Sequence, residues 1–187
     1  MVVDAAADGR LIVLDRDGVI NRDSSNFVKS ADEWVPLDGS IDAIAALSQA
    51  GFTVAVASNQ SGLARGLFDS DALAAMHAKM RDLVMRAGGH IDHIVFCPHG
   101  PDAGCDCRKP KPGLLTQIAT HFDTALVGIP VIGDSLRDLQ AAASVGARPI
   151  LVRSGNGARA EAELPPELSA IEVYDDLAAA VTALLAN

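Results

Sequence analysis

The chain has 187 residues, 49% of them hydrophobic and 21% charged, so it is long enough for one domain with a complete apolar core. Its formal net charge of −9, without a cluster of basic residues, argues against binding to a nucleic-acid backbone. No apolar stretch approaches the roughly 20 residues that span a bilayer, and residues 1–9 lack the features of a signal peptide. We expect a cytoplasmic protein whose single domain covers residues 1–187, with residues 1–9 frayed and no membrane or nucleic-acid partner.

Short apolar runs alternate with helical patterns along the chain, which is typical of a parallel sheet covered by helices. The predicted strands are residues 11–14, 52–57, 91–96, 127–132, 149–152 and 171–174. The predicted helices are residues 40–50, 69–87, 112–122, 136–143 and 175–185. This alternation predicts an α/β fold, a Rossmann-like parallel sheet with helices on both faces.

Local signals refine three of these segments. Ser40 fits the N-cap of the first helix. Pro130 lacks the N–H of a central strand and counts against the strand at 127–132, which we retain because it must deliver the following aspartate to the sheet edge. Residues 154–166 contain two glycines and two prolines, so we expect them to be the most mobile surface segment.

The first strand stops at two carboxylates, Asp15 and Asp17, which Gly18 follows. Where a strand ends and a glycine relaxes the backbone, both carboxylates can lie at the edge where open α/β sheets bind ligands. The pair alone also fits a solvated turn or half of a calcium loop. The calcium loop fails on spacing, because it needs glycine at its sixth position and the preceding residues here form a strand.

Three further motifs follow in the chain, namely Ser58-Asn59-Gln60-Ser61-Gly62, Arg108-Lys109-Pro110 and Gly133-Asp134-Ser135. With Asp15 and Asp17 they resemble the motifs of the haloacid-dehalogenase-type phosphatases, and specifically of the heptose-1,7-bisphosphate 7-phosphatase family. The resemblance runs from Leu11 to about Arg153. It implies that Asp15 is the nucleophile that forms an aspartyl-phosphate. It also implies that Asp17 starts protonated, protonates the leaving alkoxide and then activates water, which divides one difficult hydrolysis into two steps.

Two carboxylates would repel a phosphate dianion, so the site needs a cation. Mg²⁺ prefers oxygen ligands, which Asp15, the backbone carbonyl of Asp17 and Asp134 can supply. Asp138 lies four residues after Asp134, so it either supports the metal ligands from behind or is simply an acid in the first turn of a helix.

The resemblance also implies how substrate is held. The Ser58 hydroxyl and the donors after it would bind phosphoryl oxygens, and Lys109 would neutralise the phosphate, with Lys111 a rival by spacing. The candidate substrate-binding residues are Arg16, Asp23, Ser24, Ser25, Asn26, Asn59, Gln60, Ser61, Arg108 and Ser135.

Only about 40 residues separate Asp15 from Ser58, so there is no room for a separate cap domain and loops must select the substrate. Ser135 stands where some relatives have a lysine, which leaves recognition of a second phosphate, or of the anomer, open.

All three cysteines fall close together with a histidine, and the four are Cys97, His99, Cys105 and Cys107. Such ligands match a closed structural Zn²⁺ site. Free thiols and a Cys105–Cys107 disulfide are the alternatives, although that disulfide would be strained and unexpected in a reducing cytoplasm. The cluster ends two residues before Lys109, so a bound zinc ion would stabilise the loop that carries the phosphate-binding cations.

These features predict a monomeric, Mg²⁺-dependent phosphatase with a structural Zn²⁺ that acts on a small phosphosugar. The resemblance implies removal of the 7-phosphate of a heptose bisphosphate on the way to nucleotide-activated heptose for lipopolysaccharide. Histidinol-phosphate phosphatase is the alternative enzyme, because it shares these motifs and a similar zinc loop. A non-catalytic, zinc-stabilised phosphosugar-binding or interaction module is the alternative of another class, although a binding module needs no nucleophile beside an acid.

Overall fold

A computed structural model describes residues 10–186 of the chain, so the expected fraying of residues 1–9 lies outside the described residues. Six parallel strands form one sheet in the order β3-β2-β1-β4-β5-β6. The strands are β1 Leu11–Leu14, β2 Thr53–Asn59, β3 His93–Cys97, β4 Pro130–Gly133, β5 Arg148–Val152 and β6 Glu172–Tyr174. The helices are α1 Ser40–Gln49, α2 Ser70–Arg86, α3 Gly113–His121, α4 Leu136–Ser144, α5 Gly157–Ala162 and α6 Leu177–Leu185, and one 3₁₀ turn covers Pro166–Leu168.

Alternate side chains of the central strands enter two different apolar cores. Ile12 and Leu14 of β1 belong to a core that includes side chains of α1, α2 and α6. Leu11 and Val13 belong to a second core with side chains of α3 and α4. A strand sends successive side chains to opposite faces, so the sheet is covered by helices on both sides. The α/β prediction is confirmed.

Three local predictions need correction or comment. Gly39, with φ of 76°, is the N-cap of α1, and Ser40 is instead a buried first helical residue whose hydroxyl donates to the carbonyl of Ile20 at 2.6 Å. Pro130 is the first residue of β4, a position at which proline is tolerated in a sheet. The segment expected to be the most mobile at the surface contains α5 and leads into the 3₁₀ turn, and Ala160 and Leu168 share a small core with Leu151 of β5. Regular structure therefore replaces the irregular chain that its glycines and prolines suggested, and its mobility stays a prediction.

The region between β1 and β2 contains turns, isolated bridges and α1, and it adds no second sheet or helical domain within residues 10–186. Because all six strands are parallel, their carboxyl ends lie at one edge of the sheet. Among the described helices, none has both the length and the apolar character needed to cross a membrane.

Candidate active site

The carboxyl ends of β1 and β4 form the centre of the site. These strands are neighbours where the strand order reverses, the position at which open α/β sheets bind ligands. Asp15 follows β1 and Asp134 follows β4, and the backbone N–H of Asp15 donates to the carbonyl of Ile132 at 2.9 Å. The parallel pairing therefore brings together two carboxylates that are far apart in sequence.

A buried lysine reaches this centre from the segment after β3. Lys109 is 5% exposed, and its Nζ donates to Asp15 Oδ1 at 2.7 Å, lies 2.6 Å from Asp138 Oδ1 and donates to the carbonyl of Ala57 at 2.7 Å. Burial alone would lower the pKa of Lys109, but Asp138 and Asp15 outweigh it and raise that pKa above its usual value. The alternative lysine, Lys111, is exposed and pairs with Asp106. The structure thus places Lys109, rather than Lys111, against the expected nucleophile.

The Asp17 carboxylate is held from three directions. It accepts hydrogen bonds from Arg16 at 2.8 and 3.0 Å, from Asn21 Nδ2 at 2.9 Å and from Gln60 Nε2 at 2.8 Å. Burial raises the pKa of Asp17, but Arg16 and these hydrogen bonds outweigh burial and lower it. These contacts favour the ionised form of Asp17, whereas the role expected of it as proton donor requires the protonated form when substrate binds.

Arg16 does not line the cavity described below. Its guanidinium is 1% exposed and lies behind Asp17, with a further contact to Gln60 Oε1 at 3.3 Å. Gln60 in turn donates to the Ser58 hydroxyl at 2.6 Å. Arg16 was expected to contact substrate, but the structure places it where it orients Asp17 instead.

Three carboxylates form a group that fits a divalent cation. Oxygen atoms of Asp15, Asp134 and Asp138 lie within 4.8 Å of one another. Burial, together with the neighbouring carboxylates, raises the pKa of Asp15 well above its usual value despite Lys109, and raises the pKa of Asp134 to about 7. Ionised carboxylates crowded in this way require a cation, and oxygen ligands are those that Mg²⁺ prefers. The donor set therefore fits Mg²⁺.

Asn156 is a site residue that the sequence analysis missed. Its backbone N–H donates to Asp134 Oδ2 at 2.8 Å, and its side-chain Nδ2 donates to Asp134 Oδ2 at 3.3 Å and to Asp23 Oδ2 at 3.0 Å. The residue links the β5 edge to the segment after β1. Its position after an apolar strand was the available signal, but the surrounding glycines indicated a loop.

Two glycines allow these segments to approach closely. A Cβ added at Gly18 would lie 2.0 Å from Asp134 Oδ2, and one added at Gly155 would lie 2.2 Å from the same atom. Both have positive φ, 82° and 59°. The Ser154 hydroxyl donates to the Gly18 carbonyl at 2.7 Å and connects the two segments.

A cavity of about 340 Å³ opens above these groups, a volume in the range of small-molecule sites. The expected residues that line it, besides Asp15, Asp17, Lys109 and Asp134, are Asp23, Ser24, Ser58, Asn59, Gln60, Ser61, Arg108 and Ser135. Ser25 and Asn26 line neighbouring shallow depressions instead. The Ser135 hydroxyl donates to Asp138 Oδ2 at 2.6 Å and caps α4, so its oxygen has a structural partner.

Several residues of the cavity wall were not among the expected ones. They are Phe27, Arg65, Pro101, Arg137, Asp138 and Asn156. Asp138 had been weighed as either a helix acid or a supporting group, and it is both, because it completes the capping box of α4 and also pairs with Lys109. Lone arginines in polar segments carry no motif, so the sequence alone did not single out the other charged residues.

The cysteine cluster lies where β3 ends. The Cys97 Sγ is 3.7 Å from Cys105 Sγ and 3.2 Å from Cys107 Sγ, and His99 Nδ1 is 3.6 and 3.3 Å from the sulfurs of Cys97 and Cys107. All three cysteines are free. A tetrahedral ion with Zn–S bonds of about 2.3 Å separates its ligands by roughly 3.5–3.8 Å. The four side chains therefore fit a zinc ion.

The same loop positions Lys109. The amide of Asn59 accepts from the backbone N–H of Lys109 and donates to its carbonyl, both at 3.1 Å. The Arg108 guanidinium donates to the carbonyl of His99 at 3.3 Å. The cysteine loop and the end of β2 thus hold the lysine backbone between them.

The site places a carboxylate beside a buried lysine and a second carboxylate two residues later. It also holds a group of carboxylates that fits a cation at the switch point of the sheet. This combination is that of a phosphohydrolase of the haloacid-dehalogenase type. Two family models agree with this class. The one described as HAD-hydrolase-like matches residues 106–180, and the one described as polynucleotide kinase 3 phosphatase matches residues 10–134.

The chain is 57% identical to the D-glycero-beta-D-manno-heptose-1,7-bisphosphate 7-phosphatase of Pseudomonas aeruginosa, over 94% of this chain and 97% of that protein. It is 38% identical to the Escherichia coli protein of the same name, over 81% and 83% of the two chains. A crystal structure of D,D-heptose 1,7-bisphosphate phosphatase from Bordetella bronchiseptica, complexed with magnesium and phosphate, matches with a TM-score of 0.91 and 55% identity over 95% of this chain and 98% of the other. The chain belongs to the D-glycero-beta-D-manno-heptose-1,7-bisphosphate 7-phosphatase family.

Proposed function

We propose that this protein removes the 7-phosphate of D-glycero-D-manno-heptose 1,7-bisphosphate in a Mg²⁺-dependent reaction that supplies nucleotide-activated heptose for lipopolysaccharide. The observation that carries the proposal is the placement of Asp15 between Lys109 and Asp134 at the switch point of the sheet. The 57% identity to an enzyme named for this reaction supports the substrate.

Asp15 is the proposed nucleophile. One of its oxygens attacks the phosphorus of the 7-phosphate, the bond to the sugar oxygen breaks, and an aspartyl-phosphate forms. Lys109 neutralises the phosphoryl oxygens and keeps the carboxylate oriented, because its ammonium is fixed by Asp15, Asp138 and the Ala57 carbonyl. Asp15, Asp134 and the carbonyl of Asp17 would hold Mg²⁺, which when bound offsets the negative charge of carboxylates and phosphate.

Asp17 is the proposed proton donor and, in the second step, the base. A phosphate dianion beside it adds negative charge, which raises the pKa of the carboxyl and favours the protonated form needed to protonate the sugar alkoxide. After the sugar leaves, ionised Asp17 takes a proton from the water that attacks the phosphorus of the aspartyl-phosphate. The bond between the phosphorus and the Asp15 oxygen breaks, which regenerates the Asp15 carboxylate and releases inorganic phosphate. Asn21, Gln60 and Arg16 keep the carboxylate facing the reacting oxygen throughout.

The polar cavity wall would bind the substrate. Ser58 and Ser61 supply hydroxyls for phosphoryl oxygens, and Arg108 supplies a cation beyond Lys109. Asp23 and Ser24 face the cavity from the segment after β1 and can accept from sugar hydroxyls. The zinc site would stabilise the loop that presents Arg108 and Lys109.

Phosphate release from purified protein tests the substrate. We expect release from heptose 1,7-bisphosphate to exceed that from histidinol phosphate and fructose 1,6-bisphosphate, and to require Mg²⁺. The Asp15→Asn protein is the control, and we expect its turnover to fall on the order of 10³-fold or more, because an amide cannot form the acyl-phosphate. Preferred hydrolysis of histidinol phosphate would favour the alternative enzyme, and near-normal turnover by Asp15→Asn would remove Asp15 from the role of nucleophile. Tight phosphosugar binding without release would favour the non-catalytic module.

We further propose that residues 1–187 form one domain, which acts as a monomer in the cytoplasm. The single sheet with its two flanking cores supports one domain. Light scattering on the eluted protein and fractionation of cells test the monomer and the compartment.

A further inference from the structure

Arg16 is the cation that holds the Asp17 carboxylate, and one of its three guanidinium nitrogens has no partner. Nε and Nη2 donate to Asp17, and Nη2 also contacts Gln60 Oε1. Within residues 10–186, the third nitrogen, Nη1, is buried and forms no hydrogen bond. Because buried polar atoms are nearly always hydrogen-bonded, this nitrogen indicates an acceptor nearby.

His77 of α2 can supply that acceptor. In the part of the chain that the structure describes, its Nε2 is also buried without a hydrogen-bond partner. Burial and the charges of Arg16 and Arg81 lower the pKa of His77 to about 4, although Asp17 acts in the opposite direction. The imidazole is therefore neutral at neutral pH, and a neutral imidazole has one nitrogen that accepts a hydrogen bond.

Packing fixes the position of this imidazole. Met76, the residue before His77 in α2, is fully buried in the core that also contains Leu14, the last residue of β1. The His77 ring lies beside the Phe96 ring of β3, with 5.9 Å between the ring centroids. His77 is not among the residues that line the cavity, so it is near enough to Arg16 to feel its charge but does not face the substrate.

We propose that His77 is a positioning residue whose Nε2 is linked to Arg16 Nη1 by one buried water molecule. Nη1 donates to the water and the water donates to Nε2, so each of the two buried nitrogens gains a partner. The link fixes the plane of the guanidinium and, through it, the direction of the Asp17 carboxylate. This inference rests on the proposed function, in which Asp17 protonates the leaving alkoxide, and it extends the support of that acid to α2.

The test compares a sugar phosphate with an activated aryl phosphate, because only the sugar alkoxide needs a proton from Asp17 in order to leave. Values of kcat/KM are measured for heptose 1,7-bisphosphate and for para-nitrophenyl phosphate. We expect His77→Leu to lower the value for the bisphosphate about tenfold and the value for the aryl phosphate less than about twofold. A loss confined to the substrate that needs the acid is not expected of a merely structural residue.

Two further variants complete the comparison. His77→Gln retains a side-chain acceptor, the amide oxygen, and should keep most of the wild-type ratio between the two substrates. The matched control is His90→Leu, which replaces an exposed histidine that pairs with Asp92 and should leave both values unchanged.

Equal losses on both substrates in His77→Leu would overturn the inference, and so would an unchanged ratio. A ratio that falls as far in His77→Gln as in His77→Leu would also overturn it, because the acceptor would then be irrelevant. If the wild type released no phosphate from the bisphosphate, the proposed function would fail instead, and the same comparison would use the alkyl phosphate that the protein does hydrolyse.

The ring nitrogens of His77 give a readout that needs neither activity nor a folded leucine variant. Long-range proton–nitrogen correlation spectra of the wild type show which ring nitrogen carries the proton, and the spectrum of His77→Gln assigns the signal. We expect a neutral ring at neutral pH with its proton on Nδ1 and an Nε2 that accepts a hydrogen bond. A proton on Nε2 would overturn the inference, whatever the kinetics of the variants.

Discussion

At the scale of single residues, the site combines two adjacent cations with different surroundings. Lys109 is buried and fixed by three oxygen atoms, whereas Arg108 is half-buried and has one backbone partner, the His99 carbonyl. A fixed ammonium beside Asp15 can stabilise charge that develops on the transferring phosphate. A guanidinium at the cavity wall can grip a distant part of the substrate instead.

We therefore expect Arg108→Ala and Lys109→Ala to differ. Arg108→Ala should mainly raise KM for the bisphosphate, since it removes binding common to the ground and transition states. Lys109→Ala should mainly lower kcat, by about 10²-fold or more, because it removes charge needed in the transition state. Steady-state kinetics separates the two, with Lys111→Ala as the control because that lysine is exposed. The reverse pattern would exchange the two assignments.

Asp17→Asn should reduce hydrolysis of a sugar phosphate more than that of an aryl phosphate. The sugar alkoxide needs a proton from Asp17 to leave, but an activated aryl oxide leaves with little help. The measurement is the ratio of kcat values for the two substrates in the wild type and in the variant. An equal loss on both would contradict the assignment of Asp17 as the acid.

The charged motifs could be recognised from sequence because each follows an apolar strand, as at Asp15 and Asp134. The orientation of Arg16 could not be predicted from sequence. Beyond the end of a strand, the direction of a side chain depends on its neighbours from other strands. Here Gln60 and Asp17 draw its guanidinium away from the cavity. Asn156 was missed because its contacts come from Asp23 and Asp134, which only the folded chain brings near.

At the scale of elements, hydrophobic patterning was sufficient for all six strands and for the five longer helices. It did not find α5, which has six residues between glycines and prolines and is held by tertiary contacts. Arg153 fixes this segment by pairing with Glu161 and with Asp175. The start of α1 was predicted at the right residue, but its N-cap was not, because Ser40 bonds to the distant Ile20 carbonyl and Gly39 is the N-cap.

The cysteine loop gives a prediction about an element. Purified protein should contain close to one zinc ion per chain, and Cys107→Ser should lower both its stability and its phosphatase activity. Structural zinc contributes binding energy on the order of 10 kcal/mol, and the loop leads directly into Lys109. Metal analysis and thermal unfolding test this, with Ser144→Ala as a control outside the loop. Full activity in protein that contains no zinc would contradict it.

At the scale of the whole molecule, the carboxylates at the strand ends couple stability to pH and to Mg²⁺. The pKa of Asp134 is raised to about 7 by burial and by Asp138, so between about pH 4 and 7 the folded protein holds a proton that the unfolded chain has lost. The raised pKa of Asp15 acts in the same direction. Without Mg²⁺, the free energy of unfolding should therefore fall as the pH rises through this window.

We expect that loss to be at least about 1 kcal/mol, and added Mg²⁺ to reverse it by binding the ionised carboxylates. Denaturant unfolding at pH 5 and pH 8, with and without Mg²⁺, measures the effect. Asp134→Asn, which cannot ionise, should show a smaller dependence on both pH and Mg²⁺. A wild-type stability that rises between pH 5 and 7 without Mg²⁺ would contradict the expectation.

The meeting of Gly18 and Gly155 around Asp134 has a consequence for how such an enzyme can evolve. Neither glycine has a functional group, yet any side chain at either position would occupy the space of the Asp134 carboxylate. In a library of single substitutions, both positions should therefore be as intolerant as the aspartates themselves. Each glycine also lies where a side chain at the other would go. A substitution at Gly18 therefore cannot make a substitution at Gly155 tolerable, or the reverse, and evolution must keep both glycines together.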